Sequence, residues 1–184
     1  MLLRTVIACA VIAITGAVPR AAAAAEIAGG CAGANVVAVD NPTRAQATRT
    51  VLCLVNRQRA RQGRKPLRAS AQLADAATGH SDEMVARRYF SHSSPEGGGV
   101  RSRARLAGYI RKGRFAFVDE TIAWGSGRLA TPAKLVTTFM RSAAHRRALL
   151  DKRLRDLGVG LTLGAPEAGA KGPATTLTLD FGRR

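Results

Sequence analysis

The sequence predicts an α+β fold, and two observations support that class. Apolar residues recur at helical spacing over much of the chain, whereas two segments near the C-terminus alternate between apolar and small or polar residues. Helices that come first and paired strands that cluster late are typical of helices packed on an antiparallel sheet. No internal repeat is visible, and no phosphate-binding loop or zinc-protease motif occurs.

The first two helices are predicted from apolar spacing. Val51, Leu54 and Val55 recur three to four residues apart in a helix expected over 44–63. The second helix begins at the N-cap Ser70, because a serine side chain can accept a hydrogen bond from the first turn. Its apolar face includes His80, which we therefore expect to be buried and hydrogen-bonded in a structural role.

Later elements are predicted from capping residues and alternation. A short basic helix is expected over 100–107, followed by a strand over 115–125. Thr131 caps a further helix whose first residue is Pro132, and more helical turns follow in SAAHRRALL. The segments DLGVGLTLG and TTLTLDFG are predicted to pair as an antiparallel hairpin across a Gly/Pro/Ala-rich loop.

The N-terminus predicts export. A short positive start, a compact apolar run and a stretch of small residues describe a signal peptide over 1–25, although an uncleaved anchor remains the alternative. Residues 26–43 are expected to form a tether, and 44–184 a single domain. The protein is therefore expected to be secreted or held at the cell envelope, where Cys31 and Cys53 would form one disulfide.

The charge predicts anionic neighbours. The chain carries 29 basic and 12 acidic residues, for a net charge of +17. An anionic cell-wall polymer or lipid surface is the expected partner, whereas nucleic acid is not, because the chain is exported and poor in stacking aromatic residues. The alternative is that the charge is only a solvated surface. We expect a monomer.

Five motifs in one order resemble the bacterial branch of the CAP/SCP superfamily, which includes the cysteine-rich secretory, antigen 5 and pathogenesis-related proteins. They are LVNRQRARQGRKPL, AATGHSDEMVARRYFSHSSPEGG, DETIAWG, RSAAHRRALLDKRLRDLGVG and LTLDFG. The resemblance covers almost all of the chain after residue 43. It implies an α-β-α sandwich, with helices packed on a small antiparallel sheet.

The resemblance also implies a cleft that holds two histidines and two acids. By motif, the histidines correspond to His92 and His145, and one acid corresponds to Glu120. Ser142 stands where eukaryotic members have the second acid. Because Ser142 has no carboxylate, the full set of four residues is absent.

Two imidazoles and one carboxylate are compatible with more than one chemistry. His92, Glu120 and His145 match a zinc site with an open position for water, and they also match a proton-exchange set or a polar structural cleft. We prefer a binding module of the cell envelope with no firm cofactor and no assigned catalytic residue. The alternatives are a metal-dependent hydrolase that uses these three residues with a divalent metal such as zinc, and a membrane-active protein that acts by charge alone.

Overall fold

A computed structural model describes residues 30–184, so the predicted signal peptide lies outside the described residues. The described residues form five α-helices and four strands. The elements are α1 (Asn41–Arg61), β1 (Arg68–Ala69), α2 (Ala71–Arg87), α3 (Val100–Leu106), β2 (Phe117–Ser126), α4 (Pro132–Arg141), α5 (Ala143–Leu150), β3 (Asp156–Leu163) and β4 (Ala174–Arg183).

The four strands form one sheet in the order β1-β3-β4-β2. The predicted hairpin is confirmed, because β3 and β4 pair antiparallel, and β2 pairs antiparallel with the other side of β4. Strand β1 was not predicted. It pairs with β3 in parallel over only Arg68 and Ala69, which is too short for an alternating pattern, and it makes the sheet mixed.

Helices cover both faces of the sheet, which confirms the predicted α-β-α sandwich. Apolar side chains of β3 and β4, among them Leu157 and Leu179, face the main core together with residues of α1, α4 and α5. On the opposite face, α2 lies almost flush against β3. A Cβ atom at Gly158 or Gly160 would lie 2.1 Å from the α2 backbone, so these glycines permit the close approach.

The described part of the N-terminal segment, residues 30–40, is held on the domain by a disulfide. Cys31 is buried in the main core and forms the predicted disulfide with Cys53 of α1, with a Cα–Cα distance of 5.8 Å. Helix α1 begins at Asn41 rather than at residue 44. The earlier start is explained by Asp40, which accepts a hydrogen bond from the Thr43 amide at 2.8 Å and completes a capping box.

Candidate functional site

His92 lies in the loop that follows α2, and a buried histidine anchors that loop. Helix α2 ends at Arg88, whose backbone is left-handed with φ of 55°, and the chain then reverses direction. The Nε2 atom of His80 donates a hydrogen bond to the Ser91 carbonyl at 2.9 Å. His80 is buried and hydrogen-bonded, as predicted, and burial lowers its pKa, which favours the neutral form.

A hydrogen bond and two ion pairs hold the outer side of the same loop against α2. The Ser94 hydroxyl donates to Glu83 at 2.6 Å. Arg87 donates to Glu83 at 2.9 Å and also pairs with Glu96, which lies beyond the turn. The loop that presents His92 is therefore fixed at both ends by side chains of α2.

Glu120 of β2 joins the loop to α3. Its side chain is only 3% exposed, and its Oε1 atom lies 2.7 Å from Nδ1 of His92. Its Oε2 atom accepts a hydrogen bond from Nη2 of Arg103 in α3 at 2.5 Å. The same Nη2 atom donates to the His92 carbonyl at 3.2 Å, so Arg103 holds both the carboxylate and the loop backbone. We call His92, Arg103 and Glu120 the His92 site.

Electrostatics favour an ionised pair in this site. The hydrogen bond that the Nδ1–H group of His92 donates to Glu120 raises the pKa of His92. Burial tends to raise the pKa of Glu120, but the hydrogen bond with His92 and the charge of Arg103 outweigh burial and bring that pKa below its usual value. The His92 side chain is 54% exposed, so its cationic form faces solvent while its carboxylate partner is buried.

A second carboxyl group lies behind the first. Asp180 of β4 is the register partner of Glu120 on β2, and it is fully buried. The carboxyl oxygens of Asp180 accept no hydrogen bond from residues 30–184, but the protonated group can hydrogen-bond with Glu120. Burial and the negative charge of Glu120 raise the pKa of Asp180 well above its usual value. The acid next to Glu120 in sequence plays a different role, because Asp119 accepts a hydrogen bond from the Glu120 amide.

His145 and Ser142 lie beside the site without joining its hydrogen bonds. His145 of α5 packs edge-to-face on Phe139, with ring centroids 5.4 Å apart. Burial lowers the pKa of His145, and the charge of His92 lowers it further. Ser142 caps α5 by accepting a hydrogen bond from the His145 amide at 3.5 Å.

The predicted metal triad of His92, Glu120 and His145 is not assembled. Within residues 30–184, no group of three or more His, Cys, Asp or Glu side chains is arranged to hold a metal ion. The physical reason is that both oxygens of Glu120 are already bound, one by His92 and the other by Arg103. In this arrangement Glu120 is engaged by protein side chains, and the zinc site stays a prediction.

Sequence reasoning missed Arg103 and Asp180. Arg103 belongs to a short helix rich in arginine, where a basic residue is usually part of a solvated face. Asp180 carries a weak signal, because it is an acidic residue inside an otherwise apolar and threonine-rich strand.

The fold and the site define a class of small α-β-α sandwich domains with an imidazole–carboxylate pair at the outer strand of the sheet. The model of the cysteine-rich secretory protein family, CAP, matches residues 52–170. The chain belongs to this family, which confirms the resemblance found from the motifs.

Relatives and solved structures agree with this assignment. The chain is 33% identical to the uncharacterized protein YkwD of Bacillus subtilis over 110 residues, which is 60% of this chain and 40% of YkwD. It is equally identical to the uncharacterized membrane protein YlbC of the same organism, over 60% of this chain and 30% of YlbC. The chain thus spans less than half the length of these relatives.

Solved structures share the fold. An extracellular protein with an SCP domain from Bacillus anthracis superposes with a TM-score of 0.62 at 24% identity, over 80% of this chain and 45% of that one. An outer surface protein of Borrelia burgdorferi superposes with a TM-score of 0.62 at 15% identity, over 76% of this chain and 93% of that one. Among the described helices of our chain, none has the length and apolar character needed to cross a bilayer.

Proposed function

We propose that this CAP domain is an exported binding module of the cell envelope, and that His92 is its ligand contact. The observation that carries the proposal is the state of Glu120, whose two oxygens are occupied by His92 and Arg103. A carboxylate held in this way is poorly placed to act as a general base or metal ligand, but it is well placed to orient an exposed imidazole. The site therefore favours recognition over hydrolysis.

The chemistry of His92 indicates the class of ligand. Its Nδ1 atom faces Glu120, and its Nε2 atom makes no hydrogen bond with residues 30–184. A cationic imidazole donates from Nε2 to carbonyl, carboxylate or phosphate oxygens. The net charge of +17 would keep such a domain close to anionic wall material or lipid, where these oxygens are abundant.

The test is cosedimentation with insoluble peptidoglycan, prepared with and without its covalently attached anionic polymers. His92→Ala should weaken the affinity for peptidoglycan about tenfold, which is the loss expected for one charge-assisted hydrogen bond. Ser93→Ala is the matched control, because Ser93 is the next residue of the same loop and its hydroxyl makes no hydrogen bond with the described residues.

Two results would overturn the proposal. One is equal binding by His92→Ala and wild type together with complete loss of binding in high salt, which would indicate attraction by charge alone. The other is release of wall fragments by the wild-type protein that depends on His92, which would indicate an enzyme.

A further inference from the structure

A second surface, separate from the His92 site, combines positive charge with exposed apolar side chains. Residues 100–116 include six arginines or lysines and no acidic residue. One of them, Arg103, forms the ion pair with Glu120. Among residues 30–184, no carboxylate forms an ion pair with the five other basic side chains of this segment, which are Arg101, Arg105, Arg111, Lys112 and Arg114.

Two open cavities meet in this segment. One, of about 550 Å³, is lined by Tyr109, Phe115 and Arg184 together with Arg111 and Arg114. The other, of about 470 Å³, is lined by Arg105 and further residues of the same segment, and it shares Arg111 and Arg114 with the first. These two arginines therefore stand between two concave surfaces. We call Arg105, Leu106, Arg111, Lys112, Arg114, Phe115 and Arg184 the arginine surface.

Exposed apolar residues belong to the same surface. Leu106 is 88% exposed at the end of α3, and Phe115 is 72% exposed. The Arg183 guanidinium lies 6.0 Å from the centroid of the Phe115 ring, and most of the apolar area of this ring faces water. Arginine also stacks on the aromatic rings here, because the Arg184 guanidinium lies 4.6 Å from the Tyr109 ring centroid.

We propose that the arginine surface docks on an anionic lipid bilayer, with Arg111 and Arg114 against headgroup phosphates and with Leu106 and Phe115 entering the interfacial layer. Charge complementarity explains the unpaired arginines, and the interface between headgroups and acyl chains explains the exposed apolar side chains. An anionic wall polymer would satisfy the arginines alone. The inference depends on the exported location in the proposed function, but it does not depend on the His92 site.

The first test measures binding to sedimented vesicles of phosphatidylcholine alone and of phosphatidylcholine with phosphatidylglycerol. Wild type should bind only the anionic vesicles. Arg111→Gln/Arg114→Gln should bind them about thirtyfold more weakly, the loss expected for two basic residues at an anionic surface. Arg61→Gln/Arg64→Gln removes the same charge from exposed positions at the end of α1 and should have a much smaller effect.

The second test measures insertion. Phe115→Trp places an indole on the arginine surface, and its fluorescence should be quenched by brominated lipids in anionic vesicles more strongly than that of wild type, which contains only Trp124. Equal losses in the two double variants, absence of extra quenching in Phe115→Trp, or absence of vesicle binding would each overturn the docking. None of these results affects peptidoglycan binding through His92, so the two proposals fail separately.

Discussion

Glu120 and Asp180 are paired directly across β2 and β4, and both carboxyl groups are buried. Their pKa values are nevertheless shifted in opposite directions, downward for Glu120 and upward for Asp180. Glu120 is hydrogen-bonded by a histidine and an arginine, whereas Asp180 accepts no hydrogen bond from the described part of the chain and can hydrogen-bond with Glu120 only when it is protonated. Two close carboxyl groups separate their pKa values in this way, since ionising both would place like charges together in a buried region. Glu120 and Asp180 therefore favour a single negative charge between them, located on Glu120 next to His92.

Asp180→Asn should stabilise the protein at neutral pH. Burial and the charge of Glu120 raise the pKa of Asp180 in the folded state, so the folded protein keeps a proton that the unfolded chain has already released. The contribution of Asp180 to stability is therefore fully present below its unfolded pKa and is lost as pH rises through its folded pKa. Asparagine does not titrate, and it should raise the free energy of unfolding at pH 8 by about 1 kcal/mol or more.

Urea unfolding at pH 5 and at pH 8 checks this expectation. The difference in unfolding free energy between the two pH values should shrink in Asp180→Asn. Asp75→Asn is the control, because Asp75 is exposed on α2. A loss of stability in Asp180→Asn at pH 8 would mean that Asp180 is ionised and needed in that form.

Arg103→Gln should destabilise the fold and loosen the loop of His92. Arg103 is mostly buried and bridges the Glu120 carboxylate and the His92 carbonyl. Removing one member of a buried ion pair leaves the other charge poorly compensated, which costs about 3 kcal/mol. Arg105→Gln removes the same charge from an exposed position two residues along and should change stability by less than about 0.5 kcal/mol.

Thermal unfolding and amide hydrogen exchange of residues 91–94 measure the two effects of Arg103. Exchange in this loop should become faster in Arg103→Gln and stay unchanged in Arg105→Gln. Equal stability of the two variants would show that Arg103 is not a structural bridge.

The features that sequence analysis predicted depend on local patterns. The capped helices at Ser70 and Thr131 and the alternation of β3 and β4 are visible within a few residues of chain. The Cys31–Cys53 disulfide followed from there being only two cysteines after the predicted signal peptide. The pairing of His92 with Glu120 came from the family resemblance, since no local rule links residues so far apart.

The features that were missed depend on tertiary packing. A two-residue strand such as β1 has no pattern of its own and exists because it pairs with β3. Arg103 turns toward Glu120 although its helix carries other arginines that stay exposed, and spacing alone does not identify which arginine turns inward. The same packing bears on the metal prediction, because this arginine pairs with the carboxylate that zinc would need.

Glu120→Gln should lower the pKa of His92. The hydrogen bond with Glu120 raises that pKa above the usual value of 6.5. The contribution of this pair to stability is therefore fully present below pH 6.5 and is lost as pH rises through the folded pKa of His92. Titration of the His92 ring protons by NMR, in wild type and in Glu120→Gln, measures the change directly.

Asp119→Asn provides the control for this titration, because Asp119 is the neighbouring carboxylate on β2 and raises the pKa of His92 far less directly. Its effect should be smaller than that of Glu120→Gln and in the same direction. An unchanged pKa of His92 in Glu120→Gln would contradict the hydrogen bond at the centre of the site.

Arg103 should also control the response of the site to zinc. In wild type, Arg103 and His92 occupy the two oxygens of Glu120, so calorimetric titration with zinc chloride should show no binding at micromolar zinc that depends on His92. Arg103→Gln frees one of these oxygens, and its affinity for zinc should therefore exceed that of wild type. Micromolar binding by wild type that disappears in both His92→Ala and His145→Ala would show instead that the side chains rearrange around the metal, and it would restore the hydrolase hypothesis.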